Sequence, residues 1–281
     1  MQRNEDWGRT AVLLPHGIRL GGEIHAAPEM PSTQIAAKEA ARRGAPHGTV
    51  FVADYQSAGR GRRDRAWHSL PGRDLMFSVV LRPAMPPAQA PSLCFAAACA
   101  VVRAVRALIE DERRAAVKWP NDVLLDGRKL CGIICESAAD AATLAYAVLG
   151  IGINANRTEA ELPPLDSPDR PAATSLLLAR GRPVDRAALL AAVLSELDPL
   201  VDLLEAADGP TRLMEIYKVY CDTLGRDIRI LTDEGEHVGR AVDIAPDGAI
   251  VLECDGRRTA FLVGDVVHAR ALHAPRGDGA R

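Results

Sequence analysis

Between residues 117 and 153 the chain consists almost entirely of short apolar runs broken by turn dipeptides, a pattern that admits strands and leaves no room for a helix of ordinary length. Residues 117–119, 123–125, 130–136 and 142–153 read as strands. Pro120-Asn121 and Asp126-Gly127 mark the turns between the first three. Helical periodicity surrounds this block. Residues 33–43 place Ile35, Ala36 and Ala40 on one side, with Ser32 as a candidate cap and Gly44 as terminator. Pro91 and Ser92 open a second helix that runs to about residue 110. Residues 49–53 and 75–81 read as further strands. Residues 156–171 are rich in Pro, Asp and Glu and read as a loop. Helices are expected at 175–179, 185–206 and 210–222, the last with Pro210 at its first position.

From Leu224 the period changes. Short alternating segments at 227–232, 237–244, 249–254 and 257–261 are joined by turns at 233–235, Asp247-Gly248 and Asp255-Gly256. The fold class predicted is therefore α/β (α+β): a mixed-sheet main domain followed by a small all-β module. The expected division is an irregular N-terminal extension over 1–30, a main domain over 31–223, a C-terminal module over 224–271 and a disordered tail over 272–281.

A net charge of −3 argues against a general nucleic-acid surface. No apolar run reaches the roughly 20 residues of a membrane span, the longest candidate being 141–153. The first residues, with Glu5 and Asp6, lack the apolar core of a signal peptide. A cytoplasmic enzyme is expected. The cysteines at 94, 99, 131, 135, 221 and 254 form no C-x-x-C pair and read as buried free thiols; the seven histidines show no metal spacing.

Against that even background, Gly59-Arg60-Gly61-Arg62-Arg63-Asp64-Arg65-Ala66-Trp67 is a local basic cluster. Glycine lets the backbone approach a ligand, and arginine offers permanently charged forks for carboxylate and phosphate. A solvated basic turn is the alternative. The strand-like run before the cluster and the tryptophan at its end weigh toward a site closing over an anionic small molecule. Of 34 basic side chains only four are lysines: Lys38, Lys118, Lys129 and Lys218. Two of them fall close together in Lys118-Trp119-Pro120-Asn121-Asp122 and Gly127-Arg128-Lys129-Leu130-Cys131-Gly132. A compact ammonium is wanted there, not charge alone.

The arginine loop, the segment from Lys118 to Glu136, and Gly150-Ile151-Gly152-Ile153-Asn154-Ala155-Asn156 together resemble the biotin protein ligases, in that family's order and spacing, over most of the chain. The resemblance implies a biotin/lipoate ligase-like catalytic domain with an SH3-like C-terminal barrel. It implies ATP and Mg²⁺ as requirements and biotin–[acetyl-CoA-carboxylase] ligase activity: biotin is activated as biotinyl-5′-AMP and passed to a lysine of a biotin carboxyl carrier protein. Neither nucleic acid nor membrane is an expected partner, and a homodimer is possible.

Residue roles are carried over on the same footing. Lys129, Arg62, Lys118 and Asp122 are the expected catalytic residues. Ser32, Thr33, Gln34, Gln56, Gly59, Arg60, Gly61, Arg62, Lys129, Gly132 and Gly150 are expected at biotin. Arg62, Arg65, Trp67, Lys118, Asn154 and Arg270 are expected at the nucleotide. Gln34 stands where the family often has asparagine, and Asp64 where glycine is common. Simpler readings remain open for several: a helix cap for Ser32, a turn lysine for Lys129, an Asx-turn for Asn121 and Asp122, plain strand glycines for Gly150 and Gly152, a core residue for Trp67, and a solvated charge for Arg63. Two rival functions are a lipoate-protein ligase of the same fold and a biotin-sensing transcriptional repressor.

Overall fold

The run Leu-Met-Phe-Ser-Val-Val-Leu of β3 (Leu75–Leu81) is buried at every position, so it must lie inside a sheet covered on both faces. In the computed structural model, which describes residues 6–62, 65–112, 114–140, 143–165, 170–232, 235–262 and 265–268, it does. The sheet comprises β1 (Ile24–Ala27), β2 (Val50–Ala53), β3, β4 (Ala115–Lys118), β5 (Asp122–Leu125), β6 (Arg128–Asp140) and β7 (Thr143–Ile153). Its strand order is β1-β2-β3-β7-β6-β5-β4. β1 runs parallel to β2 and every other neighbouring pair is antiparallel. Asp126 and Gly127 take positive φ, 52° and 74°. That is the hairpin geometry the Asp-Gly pair suggested between β5 and β6.

Helices cover both faces. α2 (Thr33–Arg42) lies on one, where Ala37 and Ala41 meet Val80, Tyr146 and Val148. The other face carries α3 (Ser92–Ile109), α5 (Arg186–Leu204) and α6 (Gly209–Tyr220), which form the larger core with the sheet. Short helices α1 (Gly8–Leu13) and α4 (Leu176–Arg180) complete the set. Asp185 caps α5 and Ser175 caps α4 through side-chain hydrogen bonds. Pro210 falls one residue inside α6, which starts at Gly209.

Three sequence expectations need correction. Residues 6–30 are not irregular throughout: α1 packs on α5, and β1 extends the main sheet through pairing with β2. The stretch Pro87–Ile109 is long and apolar enough to cross a membrane by length and composition. Its continuous apolar run is broken by Arg103 and Arg106, and 67% of its most apolar window is buried inside this protein. Not all cysteines are buried, since Cys254 is exposed and Cys94 and Cys135 are half-buried; none of the six is bridged.

The C-terminal module is a five-stranded antiparallel sheet of β8 (Asp227–Thr232), β9 (Gly235–Ile244), β10 (Ile250–Cys254), β11 (Arg257–Phe261) and β12 (Asp265–His268), ordered β11-β10-β9-β8-β12. The last strand had not been expected. The module is held at the main domain by Trp119, which is 1% exposed and donates from Nε1 to the Gly248 carbonyl at 2.9 Å. The Trp119 amide donates to Thr223 Oγ1 at 3.0 Å. Gly248 has φ +87°, and a Cβ there would stand 2.1 Å from Phe95 Cε2, so the turn must be glycine to seat against α3. Trp119→Phe removes a buried hydrogen bond and part of the packed volume. It is expected to cost about 2 kcal/mol, read as a lower urea midpoint at unchanged slope. An unchanged midpoint would show that this contact contributes nothing.

Candidate active site

The paired glycines of β6 and β7 open a flat floor in the centre of the sheet. Gly132 faces Gly152, Ile134 faces Gly150, and Gly150 also faces Ser78 on β3. With no side chains at Gly132, Gly150 and Gly152, the floor there lies at the level of the backbone. Above it is a cavity of about 300 Å³. The N-terminal end of α2 forms one wall. Thr33 donates from its backbone amide at 2.7 Å and from Oγ1 at 3.1 Å to Gln56 Oε1. Gln34 Nε2 donates to the Val148 carbonyl at 3.0 Å, and Gln34 Oε1 accepts from Ser78 Oγ at 3.1 Å. Thr33, Gln34 and Gln56 are all buried. Ser32 stands at the N-cap position of α2, yet its side chain makes no capping bond. Its Oγ is buried, borders the cavity and has no partner. The cap reading is therefore set aside: this hydroxyl is available to a ligand.

The opposite wall is charged. β4 and β5, joined through Pro120 and Asn121, bring Lys118 and Asp122 into register as direct partners. The β5–β6 hairpin returns Lys129 beside them. Lys129 Nζ lies 2.7 Å from Asp122 Oδ1. Burial by itself would raise the Asp122 carboxyl, but Lys129, Lys118 and Arg62 together outweigh it and hold it below the usual carboxylate range. Burial pushes Lys118 below the usual lysine range against the pull of Asp122. Lys118 is 7% exposed and donates to the Val266 carbonyl at 2.5 Å, so β12 of the C-terminal module reaches the site. Asn121 forms no Asx-turn contact. Its Oδ1 accepts from Arg62 Nη1 at 2.8 Å and its Nδ2 donates to the Ile133 carbonyl at 2.6 Å, which ties the arginine loop to the sheet.

The arginine loop folds back on itself as a small hairpin. Arg60 and Ala66 form an antiparallel bridge, Gly61 N donates to the Arg65 carbonyl at 2.7 Å, and Trp67 N to the Gly59 carbonyl at 3.0 Å. Arg60, Gly61, Arg62 and Arg65 border the cavity. Gly59 does not; a Cβ there would meet the Trp67 carbonyl at 2.5 Å, so it serves the close crossing of the loop's two arms. The Trp67 indole is neither core nor free. It lies over the glycine floor, where a Cβ at Gly152 would be 2.7 Å and one at Gly132 3.0 Å from its ring. Its Nε1 is buried without a partner.

Asn154 borders the cavity and braces its rim by donating to the Thr174 carbonyl at 2.9 Å. Arg270, Arg63 and Asp64 lie outside the described residues. Sequence reasoning missed Ser78, Ile134, Leu165, Arg170, Ala173, Leu231 and Val266, which also border the cavity. Ala173 arrives through a bridge to Lys129, and Lys129 N donates to the Ala172 carbonyl at 2.7 Å. A Pro-rich loop pairing with one strand residue leaves no periodic signal. Among the described residues no three His, Cys, Asp or Glu side chains gather as a metal cage.

The chain is similar along most of its length to known proteins. The pattern of the Biotin/lipoate A/B protein ligase family matches residues 27–154, and that of the Biotin protein ligase C terminal domain matches residues 223–269. The bifunctional ligase/repressor BirA of Bacillus subtilis is 37% identical over 229 residues, covering 80% of this chain and 67% of that protein. The same-named protein of Bacillus spizizenii is 36% identical, and the match spans 66% of its length. The biotin–[acetyl-CoA-carboxylase] ligase of Mycobacterium tuberculosis is 34% identical over 226 residues, covering 79% of this chain and 80% of that one. Among solved structures, the biotin protein ligase from Aquifex aeolicus in complex with biotin and ATP superposes with a TM-score of 0.73 at 26% identity, over 89% of this chain and 100% of that one. With a catalytic pattern and a C-terminal pattern both in place, and a relative matched over four fifths of its length, this chain belongs to the biotin protein ligases of the Biotin/lipoate A/B protein ligase family.

Proposed function

We propose that the protein activates biotin with ATP to biotinyl-5′-AMP and transfers the biotinyl group to a lysine of a biotin carboxyl carrier protein. The observation that carries this reading is one cavity with two unlike walls. One is a neutral wall of Ser32, Thr33, Gln34 and Gln56, suited to a ureido ring that both donates and accepts. The other is a cationic wall of Lys129, Lys118, Arg60, Arg62 and Arg65 for a carboxylate and a triphosphate.

In the first step a biotin carboxylate oxygen bonds to the α-phosphorus of ATP and pyrophosphate leaves. Two anions must meet, and the cations offset their repulsion and the charge that grows on phosphorus. Lys129 sits where it can leave Asp122 for the incoming carboxylate. In the second step the carrier's neutral amine attacks the acyl carbon, AMP leaves with the bonding pair, and the amine loses a proton to solvent. Asp122 is held below the usual carboxylate range and is a weak base, so its part is to hold Lys129 and Lys118 in place. Were Mg²⁺ to enter with the nucleotide, Asp122 is the carboxylate in the cavity wall that would hold it, and the ion would add positive charge against the phosphates.

The test is ATP–pyrophosphate exchange with purified protein and either biotin or lipoate. Exchange with biotin alone is expected. Exchange with lipoate alone would transfer the assignment to a lipoate ligase, and exchange with neither acid would end the reading.

A further inference from the structure

Asp54 and Asp74 stand at the two roots of the segment that carries the arginine loop, one directly after β2 and the other directly before β3. Each is met by a buried arginine from elsewhere in the chain. Arg186, the first residue of α5, is 3% exposed; it donates from Nη2 to Asp54 Oδ1 at 2.8 Å and from Nη1 to the Asp74 carbonyl at 3.0 Å. The Trp7 ring covers its guanidinium at 5.1 Å. Arg157, from the segment after β7, is 2% exposed and Asp74 is fully buried. Arg157 Nε donates to Asp74 Oδ1 at 2.8 Å and Nη2 to Oδ2 at 2.5 Å. The same guanidinium donates to the carbonyls of His68 and Glu161. Asp74 Oδ2 also accepts from the Leu70 amide at 3.3 Å.

A buried ion pair is a poor device for stability, because desolvation offsets most of its Coulombic gain. Two apolar side chains would fill the same space. They would not hold main-chain carbonyls, and these guanidinium donors are directed to three of them: His68 next to Trp67, Asp74 at the loop's root, and Glu161 in the segment after β7. His68 follows Trp67, whose ring lies over the glycine floor. We propose that Arg157 and Arg186 are positioning residues for ligation: bound to Asp74 and Asp54 they fix both roots of the loop, and through the His68 carbonyl Arg157 sets where Trp67 and Arg62 stand over the cavity. The inference rests on the ligation reading above for its effect on catalysis, but not for its effect on the loop.

The experiment uses the full chain and two variants. Asp74→Leu/Arg157→Met replaces the ion pair with an apolar one. Arg186→Lys keeps the contact with Asp54 but cannot also span to the Asp74 carbonyl, and it leaves the buried pair whole. For each, the urea midpoint, hydrogen exchange, and kcat and KM for biotin-dependent pyrophosphate release are measured. Expected are amides of 59–62 and 65–72 that exchange about tenfold faster while β7 and α3 keep their protection, and a biotin KM raised about tenfold with kcat less affected. Should the apolar double variant not fold, Arg186→Lys alone decides. Unchanged loop exchange and unchanged KM in a folded variant would overturn the proposal, and so would a uniform loss of protection across the molecule, which marks a merely structural role. A wild-type protein without biotin-dependent activity would sink the ligation reading, while the exchange measurement would still decide the clamp.

Discussion

Lys129→Arg loses biotin-dependent pyrophosphate release by about 100-fold although it keeps the charge. The chain uses arginine at 30 of its 34 basic positions, so retention of lysine here points to geometry. Lys129 Nζ is a point charge 2.7 Å from Asp122, on a strand whose backbone is pinned at Ala172. A guanidinium is wider and planar. It would pair with Asp122 through two donors and stay there, or push into the space where carboxylate and α-phosphorus must align. Lys129→Ala is expected to fall at least as far and to leave Asp122 with Lys118 as its neighbour. Loss of the Lys129 charge also raises the Asp122 carboxyl, since that lysine is the largest of the pulls holding it down. Lys218→Arg on the outer face of α6, paired with Glu215 and Asp243, is the control and retains activity. Pyrophosphate release by Lys129→Arg within a few-fold of wild type would mean that charge suffices.

The parts of this site that could be read in advance are those made by neighbours in sequence. Asp126-Gly127 specified its turn because positive φ at both residues is a local property, and the hairpin it makes pairs Lys129 with Leu124 and brings the Lys129 ammonium within 2.7 Å of Asp122. The arginine loop was legible because glycines and like charges crowd into one short segment. Gly132, Gly150 and Gly152 were legible as positions but not as a floor, which exists only once β6 and β7 pair in register. Contacts between distant residues left no signal. Arg157 and Asp74 lie 83 positions apart, and each alone reads as a surface charge. β1 is four residues long, with a mixed burial pattern at the sheet edge, and nothing in its own sequence demands a strand. Ser32 was expected at the ligand only through the resemblance: its residue type and position suit a cap equally well, and only the folded chain shows a hydroxyl that bonds nothing in α2 and borders the cavity.

Gly150→Ala is expected to weaken biotin binding by about 100-fold, the equivalent of roughly 2–3 kcal/mol, by displacing Gln34. A Cβ at Gly150 would stand 2.5 Å from Gln34 Oε1 and 3.0 Å from Ile134 Cγ1. Gln34 is 2% exposed and held at both ends of its amide, by the Val148 carbonyl and by Ser78. It has nowhere to retreat except into the cavity. Moving it breaks two buried hydrogen bonds, leaves the Val148 carbonyl and Ser78 Oγ short of partners, and puts an amide where the ring of biotin would lie. Asparagine, one methylene shorter, draws the amide back from the glycine. The double variant Gly150→Ala/Gln34→Asn is therefore expected to recover much of the lost affinity, while Gln34→Asn alone costs little. Such coupling distinguishes a specific clash from general damage, which would make the two changes additive. Isothermal titration with biotin on the four proteins measures it. If the double variant binds no better than Gly150→Ala, the glycine is required for the path of β7 itself and not for the room it gives Gln34.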